Sequence, residues 1–153
     1  MKNNFKNGMR KGMVRSMSNR SSGIKFEYEL CQILSEHGWW VHDMTQNQTG
    51  QPADVIAVKN DIAVLIDCKI CKRNYFSLSR VEPNQEAAMK HWGECGNLYC
   101  FFALKLSDGS IYMIPDAMVW FYMDDEKKTI INEDDITDYG MDIDTWLTVY
   151  EGD

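Results

Sequence analysis

Two apolar runs, residues 53–58 and 62–70, are separated only by Lys59 and the turn-forming pair Asn60-Asp61. A connection that short makes an antiparallel hairpin the expected arrangement. With Asn60 and Asp61 at the centre of the turn the register follows, and Asp54 stands opposite Asp67. Directly opposed residues have Cβ atoms roughly 4.5–5.5 Å apart. Two carboxylates at that range repel each other, so the pair needs a shared proton or a cation. Side chains alternate along a strand, which puts Lys69 on the same side as Asp67. The even positions Ile62, Val64, Ile66, Cys68 and Ile70 then form one apolar face, expected to be fully buried. The odd face starts with Ala63 and Leu65 and turns polar at Asp67 and Lys69. A polar patch at the end of a buried strand is where open α/β sheets carry their sites.

The flanking segments supply helices. Ser21 or Ser22 can cap a helix running to about Glu36, with Gly38 ending it. Glu27 lies on a stripe with Leu30, Cys31 and Leu34, whereas Glu29 falls with Lys25, Gln32 and Glu36 on the wet face. A carboxylate facing the core is costly unless something binds it, so Glu27 is the informative glutamate. Residues 39–43 read as a short strand and 45–52 as a polar loop. Residues 72–82 form a polar connection containing Tyr75 and Phe76, which can stack on unpaired bases or simply pack. Pro83 suits the first position of a second helix reaching about Trp92. Residues 97–106 and 110–114 make a strand pair around Ser107-Asp108-Gly109, and Pro115 can start a short helix through Tyr122. In the acidic remainder, 129–131 and 146–150 look β-like. The order is α-β-β-β-α-β-β, an α/β pattern with a mixed β-sheet flanked by helices.

Composition narrows the class. A chain of 153 residues, 44% hydrophobic and 25% charged, reads as a single globular domain. No apolar stretch approaches the roughly 20 residues that a membrane span requires. The basic N-terminus has no hydrophobic segment behind it, so it is not a signal peptide. Five cysteines make an odd count and point to reduced thiols in a cytoplasmic protein. Cys68 and Cys71 fit C-x-x-C, but residues three apart on a strand face opposite ways. A buried structural thiol at Cys68 is the simpler reading, with a zinc site using Cys95 and Cys100 as the alternative. His37, His42 and His91 show no ligand spacing and read as structural. Trp39-Trp40 reads as core or as a dimer contact.

The net charge of −7 conceals a gradient. Lys2, Lys6, Arg10, Lys11, Arg15, Arg20 and Lys25 occupy the first 25 residues without an acid, while the chain beyond Asp108 is strongly acidic. We therefore expect a flexible basic arm over 1–18, a core domain over 19–122, and an acidic extension over 123–153 that packs on the core or is partly mobile.

Glu27, then Pro52-Ala53-Asp54, then Asp67-Cys68-Lys69 resembles the PD-(D/E)xK nuclease superfamily: a helix glutamate, a strand aspartate, and an acid-x-lysine on the next strand. Gly23-Ile24-Lys25-Phe26-Glu27 and the strand pair ending at Pro115 are similar to Holliday-junction resolvases of the Hjc and RecU types. Two departures stand out, Pro-x-Asp in place of Pro-Asp and Asp67 where glutamate is commoner. The resemblance implies a restriction-endonuclease-like core of αβββαβ order. It also implies a metal-dependent DNA endonuclease, acting on branched DNA such as a four-way junction, as a homodimer. Catalytic roles fall on Glu27, Asp54, Asp67 and Lys69, with Gln85 as the matching polar residue of the second helix, although its type more often lies at the surface. Magnesium, or manganese in its place, would be held by Glu27, Asp54, Asp67 and the Cys68 carbonyl. Arg20, Lys25, Lys72, Arg73 and Arg80 flank the acids and can grip phosphates. Two other readings remain: a restriction or repair nuclease of the same fold, and a non-catalytic nucleic-acid-binding protein.

Overall fold

The computed structural model describes residues 4–44 and 51–151, with side chains from Arg20 onward. Helix α1 (Asn4–Glu36) leads into strand β1 (Trp40–Asp43), β2 (Val55–Lys59) and β3 (Ile62–Cys71). A short strand β4 (Phe76–Ser77) and a 3-10 turn (Leu78–Arg80) precede α2 (Pro83–Glu94). Then come β5 (Tyr99–Leu106), β6 (Ile111–Pro115), α3 (Asp116–Trp120), β7 (Ile130–Ile131), α4 (Glu133–Tyr139), β8 (Met141–Asp142) and α5 (Ile143–Val149). Six strands form one mixed sheet in the order β1-β2-β3-β5-β6-β8, and β4 pairs with β7 separately. The β3–β5 pair is parallel, joined through α2; the other neighbours are antiparallel.

The hairpin register matches the sequence expectation. Val55 pairs with Ile66 and Lys59 with Ile62. Asn60 takes φ 51°, a left-handed turn conformation that asparagine tolerates. One step before β2, the Asp54 N–H still donates to Ile66 O at 3.0 Å, so Asp54 is held by the ladder although it lies outside the strand.

Alternation sorts the core into two layers. Val55, Ala57, Val64 and Ile66 pack with Phe26, Leu30 and Leu34 of α1 and with Trp146 of α5. Leu65, Phe102 and Leu104 face Met89 of α2, Val119 of α3 and Ile136 of α4. The even face of β3, expected to be fully buried, is buried only at its centre, at Val64 and Ile66, while Ile62, Cys68 and Ile70 are half-buried. Trp39 is core, with its ring centroid 5.3 Å from that of Trp146, while Trp40 is 63% exposed.

Three local expectations are corrected. Helix α1 continues through Ser21 and Ser22 from Asn4, so neither serine is its cap; with no proline in the segment, adding turns to an existing helix costs less than starting one. The connection over 72–82 holds β4 and a 3-10 turn, since Phe76 is fully buried and centres 5.6 Å from Phe102. Residues 146–150 lie mostly in α5 instead of a strand. Asp142 caps that helix by accepting from Thr145 N at 3.0 Å, and the apolar run is short enough to satisfy either period. The polar loop expected over 45–52 lies largely outside the described residues. Among the described residues no helix is long and apolar enough to cross a membrane.

Candidate active site

Position along the hairpin decides where the acids stand. Asp54, Asp67 and Lys69 share the sheet face covered by α2, because 54 and 67 are in register and 67 and 69 are two apart. Asp67 is completely buried, and Lys69 Nζ lies 2.9 Å from its Oδ2. The ammonium supplies charge without hydrogen-bond alignment, leaving Oδ2 with no directed donor among the described residues. Asp54 Oδ2 accepts a 2.7 Å hydrogen bond from the Cys68 N–H. Cys68 thus acts through its backbone amide, a role that side-chain chemistry could not have signalled.

Gln85 is buried, not a surface residue. It stands at the third position of α2, where its Oε1 accepts from the Glu82 N–H at 3.3 Å and closes a capping box. The same oxygen lies 3.5 Å from Lys69 Nζ. With Oε1 so occupied, the amide nitrogen is turned toward Asp67 and donates to Oδ1 at 2.7 Å. The start of α2 therefore locks the orientation of the Asp67 carboxylate.

Glu27 approaches from the other layer, on α1, with Oε2 buried and no hydrogen-bond partner among the described residues. Its pKa is pushed up to about 7, by burial first and then by Asp43 and Asp67, with Lys69 opposing. Asp54 is pushed up to about 8 by burial and by Asp67, against the stabilising Cys68 N–H. Asp43 is the member that sequence reasoning missed. The available signal was alternation on β1, which puts Asp43 with Val41 on the α1 side. Cys31, one turn after Glu27, and Cys68 both have thiol pKa values raised by burial first and by these carboxylates next. Thiols so hard to ionise are poor ligands and poor nucleophiles. All five cysteines are free.

Among the described residues, no three His, Cys, Asp or Glu side chains are gathered as a ready metal cage. Asp54 is held by Cys68, Asp67 by Gln85 and Lys69, and Glu27 belongs to the opposite layer. The chemistry nonetheless suits a hard divalent ion. The donors are carboxylate oxygens, two of them buried without a directed donor, in a field of acids that resist ionising together. Around this cluster, Arg20, Lys25, Lys72, Arg73 and Arg80 are all exposed. Arg80 is fixed by donating from Nη1 to Ile70 O at 2.7 Å.

The family model for archaeal Holliday junction resolvases (Hjc) matches residues 18–151. Comparison with curated proteins finds no significant match. Among solved structures, Hjc from Archaeoglobus fulgidus, a Holliday junction resolvase of an archaeal hyperthermophile, superposes with a TM-score of 0.62. It covers 82% of this chain and 99% of its own, at 20% identity, a likeness of fold.

Proposed function

The chain belongs to the archaeal Holliday junction resolvase family, and from that membership together with the acid–lysine cluster we infer that it is a nuclease hydrolysing phosphodiester bonds in four-way DNA junctions. The observation that carries the chemistry is the buried Asp67, set between Gln85 and Lys69 and in register with Asp54. A fully buried carboxyl group with one oxygen lacking a directed hydrogen bond is expensive to maintain without a use.

A magnesium or manganese ion, when bound by Asp54, Asp67, the Cys68 carbonyl and (through water) Glu27, would polarise the scissile phosphate and acidify a water molecule. The protein's own groups do the rest. Lys69 presents its ammonium beside Asp67, where it orients the attacking water and neutralises charge growing on the phosphate oxygens. Gln85 keeps the Asp67 carboxylate from rotating, so its Oδ2 stays directed at the reacting centre. Two cuts placed symmetrically in a four-way junction call for two copies of the site, which favours a homodimer.

The test is a substrate panel: four-way junction, flap, linear duplex and single-stranded DNA, each with magnesium, with manganese and with EDTA. Paired nicks confined to the junction and dependent on the metal are expected. Equal cutting of all four would remove the junction preference and leave a general nuclease, while no cutting with either metal ion overturns the proposal.

Metal dependence also predicts a pH signature. Carboxylates with raised pKa stabilise the fold where they are protonated, and that contribution is lost as pH rises through the folded-state values. For Glu27 and Asp54 the loss begins above the ordinary carboxylate range and runs to about 7 and about 8. Metal-free protein should therefore melt lower at pH 8.5 than at pH 5.5, by several degrees. Millimolar magnesium should recover most of the difference at pH 8.5 and do little at pH 5.5. A magnesium-induced rise in Tm of equal size at both pH values would contradict this account.

A further inference from the structure

Beside the acids, past Cys68, two cavities run together. The first, about 440 Å³, is lined by Cys68 together with Gly23, Arg73, Tyr75, Ser77 and Arg80. The second, about 340 Å³, is bordered by Lys25 and by Lys105, whose ammonium is paired with Glu29 beside the cavity. Both include Ser22, Ile70 and Lys72, so they are parts of one trough between α1, the end of β3 and the β5–β6 turn. No carboxylate lines either part, in a chain with 23 acids against 16 bases. Such segregation of charge marks a surface for a polyanion. The trough touches the hydrolytic cluster directly, because the Cys68 N–H is the group that holds Asp54.

Gly23 gives a second, independent sign. Glycine inside a helix costs roughly 1 kcal/mol relative to alanine. Nothing in the packing requires it, since a Cβ built there meets no atom within 4 Å. What the missing side chain leaves open is the mouth of the trough, where a ligand can approach the α1 backbone closely.

We propose that this trough seats the sugar-phosphate backbone of the DNA next to the scissile bond. Arg80, pinned through Ile70 O, holds one phosphate together with the Ser77 and Tyr75 hydroxyls, and Lys25 and Lys72 take the phosphates that follow. Contacts of this kind fix position without reading sequence. The trough would thus set which bond of the junction lies over Asp67. This assignment rests on the nuclease reading above.

The experiment measures binding of the full chain to a fluorescein-labelled four-way junction in EDTA, where no cleavage intervenes, across a salt series. Gly23→Glu should weaken binding at least tenfold without lowering Tm, because glutamate favours the helix and meets open space. Arg80→Ala should weaken binding and reduce the slope of log K against log salt by about one unit, one phosphate contact. Gly23→Ala, which adds only a methyl group, should weaken binding less than Gly23→Glu does. Wild-type affinity in Gly23→Glu, or an unchanged salt slope in Arg80→Ala, overturns the trough. The nuclease reading survives either result provided the wild-type protein still cuts junctions with magnesium. A wild-type protein that neither binds nor cuts junctions overturns both.

Discussion

Asp67→Asn will bind four-way junctions with wild-type affinity and fail to cut them. Asparagine has the same shape, and its Oδ1 can still accept from Gln85 Nε2, which now lies 2.7 Å from the aspartate. What disappears is the charge. Lys69 loses the carboxylate 2.9 Å from its ammonium, and Asp54 loses the neighbour that ranks second, after burial, in raising its pKa. Removing one preorganised electrostatic group typically costs 100- to 1,000-fold; a group that also holds the cation should cost more. We expect a drop of roughly 1,000-fold or greater in single-turnover cleavage, or about 4 kcal/mol of transition-state stabilisation. Lys69→Ala should lose cleavage comparably while keeping the Gln85–Asp67 bond. Cleavage by Asp67→Asn within tenfold of wild type would remove Asp67 from the mechanism.

Trp146→Ala will produce the largest loss of stability. Its side chain is fully buried, with its ring 5.3 Å from Trp39, 5.4 Å from Phe101 and 5.0 Å from Tyr150. Truncating a tryptophan in such a position costs about 3–5 kcal/mol. Against a typical total of roughly 5–15 kcal/mol, that is a large fraction. Thermal unfolding followed by circular dichroism should show Tm lower by on the order of 10 °C. At low temperature the variant should still cut junctions, because Asp54, Asp67 and Lys69 lie on the other face of the sheet, under α2. This result would make the acidic C-terminal segment part of the folding unit. A Tm loss below about 2 °C would mean that α5 is only loosely docked.

These two positions also show what kind of information a sequence carries. The pairing of Asp54 with Asp67 was legible because a two-residue turn admits one register and the strand period of two does the rest. The side of Lys69 follows from that same period, and the start of α2 at Pro83 from its fixed φ. Glu27 could be separated from Glu29 because the helical period put only one of them among Leu30, Cys31 and Leu34. These are local constraints, in which each residue's neighbours along the chain determine its geometry.

The burial of Gln85 was not legible in this way. Whether a glutamine at the third position of a helix faces water or a buried aspartate depends on where α2 docks after the crossover from β3 to β5, a distance that no local pattern encodes. Trp146 belongs with it: a five-residue apolar run fits a strand or a helix, and only its seat against Trp39 and Phe101 decides. The sequence alone thus determined the hairpin register, the family signature and the residues able to do phosphodiester chemistry. Tertiary structure alone decided which layer delivers Glu27, how Asp67 is locked, and that the cations line a trough free of acids. Local sterics and side-chain periodicity act between residues close in the chain, whereas burial, pKa and charge segregation arise from the packing of segments that the chain itself holds far apart.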